Sequence, residues 1–298
     1  FGATFDAAGD LWLTGMYAGE IDFGGGPLTA TTGSSDVFVA KLAADGTHLF
    51  SKGYPGLEDQ VGFAVAAGPT GAVYVVGHLT GEIDFGQGIQ SATGDEQDVF
   101  VLKLDGDGET QWSRIFGDDA QQQAYSVAVD SQGDLAVVGR LEGSIDFGAG
   151  KLEAAGGGAA FVVKLGADGD LQWSQLLGGP ANAGATDVAF DSRDRVLVTG
   201  YYEGNLQLGH TTLPESGVYE PSIFLSKLEP SGTFVWSRGI KVHGDQSAWG
   251  VSRAWRTLAI GSEDQAVLAG FVRNQIDFGD GETTGGGAAD LFAVWLEP

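Results

Sequence analysis

One tetrapeptide returns along this chain at nearly constant intervals, and that return limits the accessible folds more than any other feature. IDFG stands at 21–24, 83–86, 145–148 and 276–279, with LQLG at 206–209, so the spacings are 62, 62, 61 and 70 residues. Other markers run in phase. FVAKL, FVLKL, FVVKL, FLSKL and FAVWL begin at 38, 100, 161, 224 and 292. An aromatic residue followed by Ser recurs at 50–51, 112–113, 173–174 and 236–237. DLWLTG, AVYVVG, DLAVVG, RVLVTG and AVLAG complete the set, giving five copies of one unit of about 62 residues.

Within a unit the apolar residues alternate, which is the strand period. In the third copy, YSVAVD (125–130), LAVVGR (135–140), AFVVKL (160–165) and LQWSQLL (171–177) read as four strands. DSQGD and GADGD form tight turns, and a long Gly-rich excursion separates strands two and three. One such sheet cannot bury both faces, whereas five packed face to face can. The expectation is an all-β, five-bladed β-propeller of four-stranded antiparallel blades. A linear β-solenoid is the competing architecture, but its rungs are usually much shorter. The blades span approximately 1–58, 59–119, 120–180, 181–243 and 244–298 of a single domain. In the usual blade order the first strand is innermost. The fifth copy ends after its third strand, so the last blade lacks its outermost strand within this chain. A segment upstream of Phe1 is expected to supply it, since the alternative is an exposed sheet edge.

VAVDSQGDLAVVG and DVFVLKLDGDGETQWSRIFG resemble the bacterial β-propeller repeats known as SBBP repeats, and more distantly NHL-type blades. The resemblance covers all five copies, where the family's name promises seven. It implies a secreted or surface-attached bacterial scaffold or binding protein, and no particular reaction.

Copies within one chain can test residue roles against each other. Ile145 and Phe147 should point into the core while Asp146 accepts backbone N–H bonds in a turn. Copy four has Gln207 at that position, which keeps an acceptor without the charge. Lys41, Lys103, Lys164 and Lys227 recur at one strand position. Pairing with the Asp of IDFG is not obligatory, because copy five combines Asp277 with Trp295, so a packed stem with a solvated head is expected. Phe50, Trp112, Trp173 and Trp236 read as packing residues, with carbohydrate stacking as the alternative.

Binding is expected where the copies differ, and neutral drift on a solvated rim is the competing account. The triplets ending strand two are Met16-Tyr17-Ala18, His78-Leu79-Thr80, Arg140-Leu141-Glu142, Tyr201-Tyr202-Glu203 and Phe271-Val272-Arg273. From these, Tyr17, His78, Arg140, Tyr201, Tyr202 and Arg273, together with Tyr219 in the loop at 210–222, form the candidate ligand-binding set. A second insertion, 252–265, carries Arg253, Trp255 and Arg256 and reads as a lengthened turn between the first two strands of copy five.

Catalysis is not expected. His48, His78, His210 and His243 fall at unrelated positions without paired-ligand spacing, and a hydrolase or lyase would need a convergent cluster. DGDGE at 105–109 opens like a calcium loop, making Asp105, Asp107 and Glu109 the candidate metal ligands, but it lacks the later bidentate Glu. No other cofactor is expected. With 40 acidic and 15 basic residues the net charge is −25, which disfavours nucleic acid and anionic membranes. There is no membrane-length apolar run, and the absence of Cys excludes disulfides. Beginning at Phe1, the chain reads as a processed product or a fragment, which leaves room for an export signal upstream. A secreted or cell-surface binding module for a protein or glycan is the expected function. A structural domain of a larger surface assembly, with self-association, is the alternative.

Overall fold

Alternating apolar residues form strands wherever the repeats align. The computed structural model describes residues 1–179, 182–217, 221–243, 258–272, 275–278, 281–284 and 290–296. The described residues contain strands and turns but no helix, and the sheets are small and antiparallel.

Repeat one forms a sheet in the order Gly2–Phe5, Leu11–Tyr17, Asp36–Leu42 and His48–Tyr54. Repeat two gives Gln60–Ala67, Val73–Leu79, Asp98–Leu104 and Thr110–Phe116, and repeat three gives Gln122–Val129, Leu135–Leu141, Ala159–Leu165 and Leu171–Leu177. Each sheet therefore keeps its strands in chain order. The repeat-four sheet has six strands: Ala183–Phe190, Val196–Tyr202, Ser222–Leu228 and Phe234–His243, followed by Gln275–Asp277 and Glu282–Thr284 from repeat five. Among the described residues the repeat-five sheet has three strands, Leu258–Ile260, Ala266–Val272 and Asp290–Leu296.

The Gly-rich excursion is itself a hairpin, which the alternation did not reveal because its strands are only two or three residues long. Glu20–Asp22 pairs with Pro27–Thr29, Glu82–Asp84 with Ile89–Ser91, Ser144–Asp146 with Lys151–Glu153, and Gln207–Leu208 with Thr211–Thr212. Each hairpin reaches the end of the preceding repeat's fourth strand where the contacts are described. Gly56 bridges Ile83, Ser144 N donates to Asp118 at 2.8 Å, and Val242 pairs with Ile276.

The first strand carries a bulge, between Gly62 and Ala64 in repeat two and between Ala185 and Asp187 in repeat four. That bulge explains the glycine ending each VVG-type motif. A Cβ on Gly77 would lie 1.8 Å from the Val61 carbonyl oxygen, and one on Gly200 would lie 2.1 Å from that of Gly184.

The fifth repeat departs from the sequence reading at its insertion. Its first strand is Leu258–Ile260 and the following turn is tight, with Gly261 N donating to Gln265 O at 2.9 Å. The added residues therefore precede this strand; they do not lengthen the turn after it. Arg253, Trp255 and Arg256 lie outside the described residues.

The chain divides into two compact units. One comprises residues 1–137, 143–153 and 164–172, and the other 138–142, 154–163 and 173–298. In the first, Trp12, Val37 and Val39 of repeat one join Val73, Val75, Phe100, Leu102 and Leu104 of repeat two in one core. In the second, Ile223 and Ile240 of repeat four pack with Leu268 and Ile276 of repeat five.

Candidate functional site

The most frequent charged chemistry in the chain is taken up by the fold. Asp146 is exposed, and its Oδ1 accepts Gly148 N at 2.7 Å and Gly150 N at 3.1 Å, while Ile145 and Phe147 are buried. Asp22 accepts Gly24 N and Gly26 N at 2.7 and 3.1 Å, Asp84 accepts Gly86 N and Gly88 N at 2.7 and 2.9 Å, and Asp277 accepts Gly281 N at 3.2 Å. These bonds hold the Asp84 carboxyl below the ordinary value. Gln207 does otherwise: its amide nitrogen donates to Gly209 O at 3.4 Å. The expectation that Gln207 preserves the acceptor role is corrected accordingly.

The repeated lysines are also corrected, since their heads are not solvated. Lys164 and Asp130 form an ion pair in which both side chains are 3% exposed. Lys227 Nζ lies 2.9 Å from Asp191, and Lys41 lies 3.2 Å from Asp6 and 3.1 Å from Asp10. The partner is the first residue of the turn after strand one, where one carboxylate does two jobs. Oδ1 of Asp130 accepts Gln132 N and Asp134 N, both at 2.9 Å, while Oδ2 takes the lysine. Burial acts to raise the Asp191 carboxyl, but hydrogen bonds from Lys227 and from the Arg193 and Arg195 amides outweigh it, so the group stays below its usual range. The signal was present in the sequence. Asp6, Asp130 and Asp191 accompany Lys41, Lys164 and Lys227, and repeat five has Gly261 with Trp295. Repeat two is the exception: Gly68 holds the turn position, and Lys103 instead donates to Ala167 O at 2.6 Å and lies over the Tyr74 ring.

The aromatic residues of strand four seal one repeat against the next. Trp112 Nε1 donates to Ala167 O at 3.1 Å and Trp173 Nε1 to Pro230 O at 2.8 Å. The rings of Phe50, Trp112 and Trp173 lie against Gly108, Gly169 and Gly232 of the following repeat's turn.

Among the candidate binding residues, period two separates packing from access. The middle residue of each described triplet, Tyr17, Leu79, Leu141 or Tyr202, is buried. Tyr17 lies against Gly53, and Tyr202 lies against Gly239 with its hydroxyl donating to Pro214 O at 2.8 Å. Burial pushes the Tyr202 phenol up to about 12. The strand-four residue opposite is Gly where the triplet residue is Tyr, and Ile115 or Leu176 where it is Leu, a volume exchange legible in the sequence. The first triplet residues differ. Met16 is 44% exposed, Arg140 and Tyr201 are half-buried, and His78 is buried against the Phe63 ring. Arg140 is held by Glu142 at 2.8 Å, Gly157 O at 2.5 Å and Asn182 Oδ1 at 3.3 Å. Arg273 and Tyr219 lie outside the described residues.

A row of aromatics on the first strands escaped the sequence reading. Phe1, Phe63 and Tyr125 occupy equivalent positions in repeats one to three, the position of the bulge residue in repeat two. Phe1 stacks on Phe63 at 5.6 Å, and Phe63 meets Tyr125 edge-on at 5.8 Å. All three are half-buried or more exposed, and His78 closes on Phe63 at 5.2 Å. Residue-type equivalence at this position, Phe-Phe-Tyr followed by Thr186, was the available signal.

The candidate calcium loop is a plain hairpin turn in form. Asp105 Oδ1 accepts Asp107 N and Glu109 N, both at 3.0 Å, and Oδ2 accepts Gln111 Nε2 at 2.9 Å. Asp59 accepts Ser35 N at 2.8 Å, as another carboxylate bound to a neighbouring loop. Among the described residues no three His, Asp or Glu side chains are grouped so as to hold a metal ion.

No known family profile matches the chain. It is 31% identical over 223 residues to the regulatory protein FlaEY of Caulobacter vibrioides, a match covering 72% of this chain and 22% of that protein. The matched stretch is thus about a fifth of the relative's length. A crystal structure of a protein of unknown function from Bacteroides caccae aligns over 87% of this chain and 83% of its own, at 9% identity and a TM-score of 0.37.

Proposed function

We propose that the five repeats are blades packed face to face in the manner of a β-propeller, and that the chain is a non-catalytic binding scaffold. The observation that carries this reading is the division of labour among side chains. The chemistry repeated in the copies closes turns and pairs inside sheets, whereas the aromatic row Phe1, Phe63 and Tyr125 is not fully buried on the first strands. Among the described residues no metal-binding group is found, and partly accessible aromatic rings suit stacking against a sugar ring or a partner's apolar side chain. The ligand is therefore a glycan or a protein, and kinship with SBBP-type repeats and a secreted or cell-surface bacterial setting belong to the same proposal. In FlaEY the similar stretch forms one part of a longer protein, which supports a modular role.

Titration of immobilised glycans and candidate protein partners tests the reading, using the wild type and the Tyr125→Ala and Phe63→Ala variants. A ligand whose affinity falls at least tenfold in either variant, with the melting temperature held, supports it. Binding unaffected by both variants places the site elsewhere and sinks this reading.

A further inference from the structure

At the junction of repeats two and three, the aromatic row adjoins a set of glutamine amides. Along the first strand of repeat three, Gln123 and Tyr125 alternate with the buried Gln122, Ala124 and Ser126, so the two side chains share one face of the sheet. Gln121 stands just before that strand, and Gln97 stands just before strand three of repeat two; both are half-buried, as are Gln123 and Tyr125. Tyr125 meets Phe63 edge-on at 5.8 Å, which sets the amides beside two rings.

The backbone seats Gln97 there, with Gln122 N donating to Gln97 O at 2.7 Å. The same bond joins Gln60 N to Ser35 O at 2.8 Å and Ala183 N to Gly158 O at 3.2 Å, so the seat recurs while its side chain changes. A chain of hydrogen bonds then fixes how each amide is turned. The Tyr125 hydroxyl donates to Gln123 Oε1 at 2.5 Å, Gln123 Nε2 donates to Gln97 Oε1, and Gln121 Nε2 donates to that same oxygen at 3.2 Å. Gln97 Nε2 and Gln121 Oε1, a donor and an acceptor, are left over for a ligand.

We infer that Gln97, Gln121 and Gln123, with Tyr125 and Phe63, form a subsite for one sugar residue of a neutral glycan. A ring takes the apolar C–H face of the sugar, and the amides read its hydroxyls, each of which both donates and accepts as they do. A partner's apolar side chain seated there would cover the amides without pairing them, at a desolvation cost. The bonded network holds the amides in order before the ligand arrives, so little side-chain freedom is lost on binding. A net charge of −25 repels anionic glycans. The inference rests on the aromatic row being the binding surface, and narrows its ligand to a glycan.

The test is equilibrium binding of the full chain to immobilised neutral oligosaccharides and to their O-methylated forms, using Gln97→Ala, Gln123→Ala, Tyr125→Phe and Tyr125→Ala, each checked for an unchanged melting profile. The wild type is expected to bind at least one oligosaccharide, and its methylated form about tenfold more weakly, because an ether keeps the apolar face but cannot donate. Gln97→Ala and Gln123→Ala should each weaken binding of the unmodified glycan by about five- to tenfold and lose most of that discrimination. Tyr125→Phe keeps the ring and frees Gln123, so it should lose less than Tyr125→Ala. Should Gln123→Ala fail to fold, Gln97→Ala, in a loop, carries the same comparison. A wild type that binds none of the oligosaccharides overturns the inference, as does a glycan that is weakened by Tyr125→Ala yet indifferent to both glutamine variants. In either case a protein partner or glycan lost with Tyr125→Ala leaves the aromatic-row reading standing, whereas binding indifferent to every variant overturns both.

Discussion

At the scale of single residues, one carboxylate type serves three environments, and each predicts a different response to substitution. Asp146 lies in solvent and offers one oxygen to two amides, so Asp146→Ala should cost about 1 kcal/mol in chemical denaturation. Asp146→Asn should stay close to wild type because its amide oxygen still accepts; loss as large as that of Ala would show that the charge matters. Asp130 lies buried with Lys164, and Lys164→Met should cost about 3 kcal/mol by leaving the carboxylate without its cation. Adding Asp130→Asn should recover part of that loss, which a double-mutant cycle measures as coupling. Asp98 is fully buried and Thr93 N donates to one of its oxygens, while Oδ1 has no hydrogen-bond partner. Burial, reinforced by the charges of Asp118 and Asp119, raises its pKa from 3.8 to about 6 against the opposing bond from Thr93. Between those values the folded protein holds a proton that the unfolded chain releases. This group therefore favours folding as pH falls through that window, and its charge opposes folding above it. Asp98→Asn should raise the melting temperature at pH 7, with the gain fading towards about pH 4; an equal gain at both pH values would refute the assignment.

The elements explain why sequence periodicity reached some features and not others. Strands of seven or eight residues supply enough alternations to be read, so YSVAVD and LQWSQLL fall within Gln122–Val129 and Leu171–Leu177. The IDFG hairpins offer two or three residues per strand, too few for a period, and their pairing depends on glycines in the connecting turn. Gly148 has φ of 116°, a region closed to most side chains, and its N–H meets Asp146. Gly148→Ala should destabilise by about 1 to 2 kcal/mol, read by denaturant titration, whereas Ala at the neighbouring exposed position 149 is already native. The burial of the lysine heads escaped the sequence reading for a related reason. Asp130 and Lys164 are 34 positions apart, and only pairing strand two with strand three brings the first turn beneath the strand-three lysine.

For the whole molecule, charge and repetition dominate. A net charge of −25 opposes any compact state, so the melting temperature should rise with sodium chloride until screening is complete. A melting temperature independent of salt between about 0.02 and 0.5 M would mean that repulsion is already neutralised, for instance by bound cations. Repetition distributes the core over successive interfaces, as in the cluster joining Trp12 to Phe100. Stability should therefore depend on each interface separately, and a cavity such as Phe100→Ala should cost about 3 kcal/mol or more and unfold its neighbours first, as hydrogen exchange would report.

The sequence by itself determined the repeat number, the strand order within a repeat, the alternation along each long strand, and the turn role of Asp146. All of these follow from local periodicity and local hydrogen bonding, which act over a few residues. The tertiary structure decided which carboxylate each lysine meets, that the excursions are hairpins reaching the preceding repeat, that Tyr17 and Tyr202 fill the core, and that Phe1, Phe63 and Tyr125 form one row. Those outcomes depend on which residues of different strands and repeats share a space. Burial there outweighs local preference, because it removes apolar surface from water, and the charges drawn in with it are paired so that their desolvation is offset.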